Sequence, residues 1–113
     1  GLLKYVNDSP SPFHAVKEAA ARLEAGGYAR IRETDSWEGL ERGGRYYFTR
    51  NQSTLFAFAV PKSFTAGKGF NIVAAHTDSP CLKVKPVSKQ SSVGWQSVGV
   101  QTYGGGIWHT WFD

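Results

Sequence analysis

The chain changes its hydrophobic period near residue 28. Leu2 to Asp8 reads as a short helical lead, punctuated by Ser9-Pro10-Ser11-Pro12. A second helix then begins with Ser11 at the N-cap and Pro12 at the first helical position, where the fixed φ of proline suits the helix and its missing N–H leaves nothing unpaired. Phe13, Val16, Ala20 and Leu23 recur at helical spacing and form the predicted core stripe. Gly26-Gly27 is the stop signal. His14, in the first turn, reads as a capping or surface histidine.

From Tyr28 the pattern turns to short apolar runs bounded by Gly, Asp and Asn. Tyr28 to Arg32, Tyr46 to Arg50, Thr54 to Val60 and Phe70 to Ala75 read as strands. The last two are apolar on both alternations, which predicts central strands covered on both faces. Pro61 to Gly69, with Gly67 and Gly69, is a polar loop of hairpin or short-crossover length. The expected fold is α/β, with the early helices covering one side of a mixed sheet.

Beyond Ser79-Pro80 the character shifts again. Leu82 to Pro86 alternates as a half-exposed strand, Ser88 to Gly94 is polar and turn-prone, and Val98 to Tyr103 is a further strand running into Gly104-Gly105-Gly106. Three glycines permit positive φ and close approach by another segment. No strand-Gly-x-Gly-x-x-Gly-helix pattern surrounds them, so they are not a dinucleotide loop. Ile107 to Phe112 is intensely apolar, which implies a covering partner or further chain. Together with the absence of an initiating Met at Gly1, this reads as a piece of a longer protein.

Composition narrows the class. At 113 residues, 41% hydrophobic and 14% aromatic, the chain has material for one modest core. No apolar run approaches the roughly 18 residues that span a bilayer. Without a basic-then-apolar leader, and with Cys81 as the one cysteine, the expectation is a cytoplasmic chain in a reducing compartment. Asn51-Gln52-Ser53 fits a glycosylation acceptor, but use is not expected without an export signal. The net charge of +4 is spread. Lys83, Lys85 and Lys89 make the one basic cluster, too sparse for a nucleic-acid stripe.

The candidate chemistry lies where Phe70 to Ala75 runs into His76-Thr77-Asp78. In extended backbone, residues two apart project to one side, so His76 and Asp78 can face a common site. The imidazole is a potential metal ligand. The carboxylate can either bind as well or accept the second imidazole N–H and fix its tautomer. A polar strand end bonded to a loop is the plainer alternative. His109 and Asp113 sit beside aromatics and are not assigned as ligands.

Two longer motifs flank this pair: Ser9-Pro-Ser-Pro-Phe-His14, and Tyr103-Gly-Gly-Gly-Ile-Trp-His-Thr-Trp-Phe-Asp113. With His76-Thr-Asp78-Ser-Pro80, they make the chain resemble the N-terminal quarter of the aspartyl aminopeptidases, dinuclear zinc exopeptidases. The resemblance runs in order along essentially all 113 residues. It implies an α/β fold in which residues 1–81 are the N-terminal part of a mixed-sheet catalytic domain and residues 82–113 begin an inserted, β-rich dimerisation domain. It further implies a homo-oligomer, a dodecamer, acting on peptides with N-terminal Asp or Glu through metal-activated water. On the same resemblance His76 corresponds to a ligand of one of two Zn2+ ions, and Asp78 to the carboxylate that orients it and supports the catalytic base. The family's remaining ligands and base have no counterpart within these residues, so the chain alone is expected to be inactive and to hold no zinc tightly. Two other classes stay open: a non-enzymatic interaction module with an exposed aromatic C-terminal segment, and a small basic domain for anionic ligands. Neither nucleic acid nor membrane is an expected partner.

Overall fold

The computed structural model of the chain describes residues 1–112, which fall into two compact units, Gly1–Asp78 and the segment from Ser79 onward. In the first unit, α1 (Leu2–Asn7) and α2 (Pro12–Ala25) precede a three-stranded mixed sheet of β1 (Ala29–Arg30), β2 (Arg45–Arg50) and β3 (Thr54–Ala59). The sheet order is β1-β2-β3, with β1 parallel and β3 antiparallel to β2.

Local signals set α2. Ser11 is extended (φ −144°), and its hydroxyl accepts the His14 amide at 3.4 Å while lying 2.7 Å from His14 Nδ1. This satisfies an N–H that the first helical turn leaves without an internal partner. At the other end Gly27 takes φ +80°, and the Tyr28 amide returns to the Leu23 carbonyl at 3.0 Å. A side chain at Gly27 would pay for that left-handed turn in strain. The buried stripe of α2 is Pro12, Ala15 and Val16, with Ala20 and Leu23 half-buried. Phe13, predicted to belong to it, is exposed. Phe13 follows Pro12 by about 100° of helical turn, which sets it on the flank of the stripe.

Strand alternation explains how the sheet is covered. On one face of β2, Tyr47 is 1% exposed and its hydroxyl donates to the carboxylate of Glu24 on α2. Burial, and then Glu24, push the Tyr47 phenol above its ordinary pKa, because both disfavour the phenolate. On the other face the cross-strand pairs are Tyr46–Phe58, tilted at 5.7 Å between ring centroids, and Phe48–Phe56, stacked at 4.8 Å. Trp37, from the loop joining β1 to β2, lies 5.4 Å from Phe48 and 5.6 Å from Phe58. Such aromatic pairs contribute about 0.5–1.5 kcal/mol each beyond their burial. Beside them Arg50 pairs with Glu33, and this hydrogen bond draws the Glu33 carboxyl below its ordinary pKa.

Several predicted strands differ from those observed. Tyr28 to Arg32 contributes only the two residues of β1, although the Ile31 amide continues toward Tyr47 O at 2.9 Å. Thr54 to Val60 is a strand through Ala59, but it is the outer strand of the sheet and exposed or half-buried throughout. Phe70 to Ala75 forms no strand, and Phe70, Ile72 and Val73 are more than four-fifths exposed. A strand exists only through its ladder, and among the described residues this run is paired to none.

The second unit is a hairpin of β4 (Cys81–Ser92) and β5 (Trp95–Tyr103), followed by a 3-10 turn at Trp108–Trp111. Ser88 to Ser92, predicted as a turn, instead continues β4. The polar side chains there suit a two-stranded ribbon that water reaches on both faces. The turn is only Val93-Gly94, both at positive φ (49° and 80°), between the paired Ser92 and Trp95. Two such residues match the strand twist. Register breaks between Val84 and Lys89, the stretch that holds Pro86, which has no N–H to give a ladder. Gly104 has φ +93°, and a Cβ there would lie 3.2 Å from Pro80 Cα. Both properties anticipated for the glycine run are thus met at this residue. Trp108 and Trp111 pack at 5.0 Å, while Ile107 and Phe112 remain exposed.

Candidate functional site

The candidate pair is set at the end of the first unit. Residues 75–78 face residues 53–55 of the β2–β3 hairpin across a cleft of about 220 Å³. The hairpin reaches it through a tight turn: Asn51 and Gln52 both take left-handed φ (52° and 55°), and the Ser53 amide closes on Arg50 O at 3.2 Å. Asn occupies that conformation at less cost than most residues. Nothing in the sequence marked Ser53 to Leu55 as a cleft wall.

His76 and Asp78 lie side by side, but at a bend and not at the predicted strand end, and the near acceptor is the Asp78 backbone and not its carboxylate. His76 Nδ1 lies 2.8 Å from the backbone carbonyl oxygen of Asp78 and 3.6 Å from its carboxylate. A carbonyl only accepts, so Nδ1 carries a proton, and in the neutral ring Nε2 is then the nitrogen with the lone pair. The His76 side chain is 82% exposed at the cleft. The Asp78 side chain, 25% exposed, is the more enclosed of the two. The arrangement is therefore a single oriented nitrogen donor with a carboxylate beside it.

Other titratable candidates lie elsewhere. His14 is engaged in the α2 cap, and His109 is exposed in the 3-10 turn of the second unit. Asp113 lies outside the described residues. Cys81 opens β4 with a free thiol. Among the described residues no group of three or more His, Cys, Asp or Glu gathers as a metal cluster. No helix among them is long and apolar enough to cross a membrane.

Comparison with known proteins covers nearly the whole chain. It is 57% identical over 112 residues to a probable aspartyl aminopeptidase of Ricinus communis, matching 99% of this chain and 23% of that protein. The chain thus spans about a quarter of the length of the curated relatives it matches. Among solved structures, the Ape4 and Nbr1 complex superposes with a TM-score of 0.83 at 47% identity, over 98% of this chain and 21% of the other. The S. cerevisiae mApe1 dodecamer gives 0.79 at 31% identity, over 97% and 26%. The likeness therefore embraces the α/β architecture of the first unit and the hairpin of the second. The model of the M18 family, described as aminopeptidase I zinc metalloprotease, matches residues 5–113, and the chain belongs to that family.

Proposed function

We propose that this chain is part of a zinc aminopeptidase that removes N-terminal Asp or Glu from peptides. His76 serves as ligand to one of two zinc ions, and Asp78 holds the imidazole and supports the base. The observation that carries this reading is the His76 ring itself: Nδ1 is committed to the Asp78 carbonyl, leaving Nε2 open as the donor. Support comes from the family match across residues 5–113 and from the likeness to a probable aspartyl aminopeptidase.

The residues fit a zinc site in kind but not in number. One imidazole and one carboxylate fall short of the roughly three protein donors that a catalytic zinc takes. When bound, zinc supplies Lewis-acid polarisation of a carbonyl and a water of lowered pKa. What this chain contributes is narrower: it orients one donor nitrogen and places a carboxylate 3.6 Å from the other nitrogen of the same ring. Residues 1–81 belong, on this reading, to the catalytic domain, and residues 82–113 open an inserted dimerisation domain. A cytoplasmic homo-oligomer is the expected setting, and likeness to a dodecameric structure favours twelve copies.

The test compares the full-length enzyme with the 113-residue chain. In the full-length protein His76→Ala should remove zinc from its site and lower cleavage of an N-terminal Asp anilide by about a hundredfold or more. An N-terminal Leu anilide should be a poor substrate of the unaltered enzyme. The isolated chain should neither cleave nor bind zinc at micromolar strength. Full zinc occupancy in His76→Ala, or micromolar zinc binding by the isolated chain that His76→Ala abolishes, would contradict the assignment.

A further inference from the structure

The segment carrying His76 has little to hold it in place. Residues 70–76 form no helix or strand, and His76 and Thr77 are exposed. Yet the hydroxyl of Tyr5, on α1 and 72 positions away in sequence, lies 3.0 Å from the carbonyl oxygen of Thr77. A phenol has one proton to give. The Ala15 carbonyl, at 3.4 Å, is the weaker acceptor, so donation goes to Thr77.

Tyr5 is itself fixed. The Arg22 guanidinium sits 4.9 Å from the centre of the Tyr5 ring, and Arg22 Nε donates to Glu18 at 3.1 Å. Both Arg22 and Glu18 project from α2, the helix whose Ala15 and Val16 are buried in the core of the unit. Contact with the π-face holds the ring, and the ring aims its hydroxyl. A continuous route therefore runs from the packed helix through Arg22 and Tyr5 to Thr77.

Its chemical consequence follows from the peptide plane. The Thr77 carbonyl and the Asp78 amide share one rigid unit, so holding that oxygen sets the plane from which Asp78 departs. The Asp78 carbonyl is the acceptor for His76 Nδ1. We infer that Tyr5 is a positioning residue for the His76 donor: it pins Thr77, keeps the Asp78 carbonyl in reach of Nδ1, and thereby fixes where Nε2 points. The inference rests on the reading of His76 as a zinc ligand. Groups that orient metal-binding histidines commonly affect metal affinity tenfold or more when removed.

Tyr5→Phe in the full-length enzyme keeps the ring and its Arg22 contact and removes only the hydroxyl. Zinc affinity, measured by chelator competition, should fall about tenfold. In the metal-free protein, the His76 ring 15N shifts should move from the Nδ1-protonated tautomer toward a mixture of the two. Unchanged zinc affinity overturns the proposal even if the melting temperature drops, because a purely structural tyrosine would shift only the latter. If Tyr5→Phe does not fold, Arg22→Gln replaces it, and wild-type zinc affinity in that variant is equally fatal. His76→Ala separates the two readings. Zinc lost in His76→Ala but undiminished in Tyr5→Phe leaves the ligand assignment standing without the strut, whereas zinc retained in His76→Ala removes both.

Discussion

The two units differ in where their order comes from. In Gly1–Asp78, helix α2 lies against β2 and β3, and the buried residues Ala15, Val16, Tyr47 and Phe48 come from segments some thirty positions apart. The β4–β5 ribbon buries no large side chain: Val84, Val87, Val93, Trp95 and Val98 are all exposed. Its geometry is set by a two-residue turn, a register break and a glycine against a proline. A lone two-stranded hairpin is marginal in water. The first unit should therefore respond to changes in its core, and the second to changes in backbone conformation.

The largest expected effect is Tyr47→Ala, which empties a core position and strips Glu24 of its partner. A loss of about 4 kcal/mol is expected, a large part of a small unit's stability. Amide exchange across Arg45–Ala59 would report it. Retained protection there would show that the first unit is not organised around this core. A smaller effect, of opposite sign, sharpens the other half of the contrast. Val93 holds a β-branched side chain at φ 49°, where asparagine is far better suited. Val93→Asn should stabilise the ribbon by about 1 kcal/mol, read from slower exchange in Cys81–Tyr103. No slowing would mean that the turn does not control the ribbon.

The smallest effect is electrostatic and belongs to the first unit. Arg50 lowers the folded-state pKa of Glu33, so the pair's contribution is present above the unfolded carboxylate value and fades as pH falls through the folded one. The advantage of wild type over Glu33→Gln in urea unfolding should thus shrink below about pH 4. Because both side chains are exposed, the advantage is slight even at neutral pH. An advantage that grew on acidification would reverse the assigned sign.

Legibility followed the same division between local and distant causes. The start and stop of α2 were readable because Ser11, Pro12 and Gly26-Gly27 act on their own neighbours. β2 and β3 were readable from aromatic and β-branched runs. Phe70 to Ala75 was misread because apolar alternation records a wish for neighbours and not their presence. Ser88 to Ser92 was misread because polarity marks a turn only where the alternative is burial, and this ribbon has wet faces. At the candidate site, His76 and Asp78 stood out through their spacing and flanking motifs. The Asp78 backbone acceptor was not, since every residue carries a carbonyl, and Tyr5 gave no sign because an aromatic in a short helix looks like packing.

Lys83, Lys85 and Lys89 acquire a different meaning from their place on β4. Both strands of a two-stranded ribbon are edges, each with a row of backbone groups that another strand can join. Charged lysines along one edge, and Pro86 within the break in its ladder, make such joining unfavourable. Within these 113 residues, what a charge count offers as a surface for anions thus sits where it discourages strand addition, and replacing the lysines with threonine should make the isolated chain more prone to self-association.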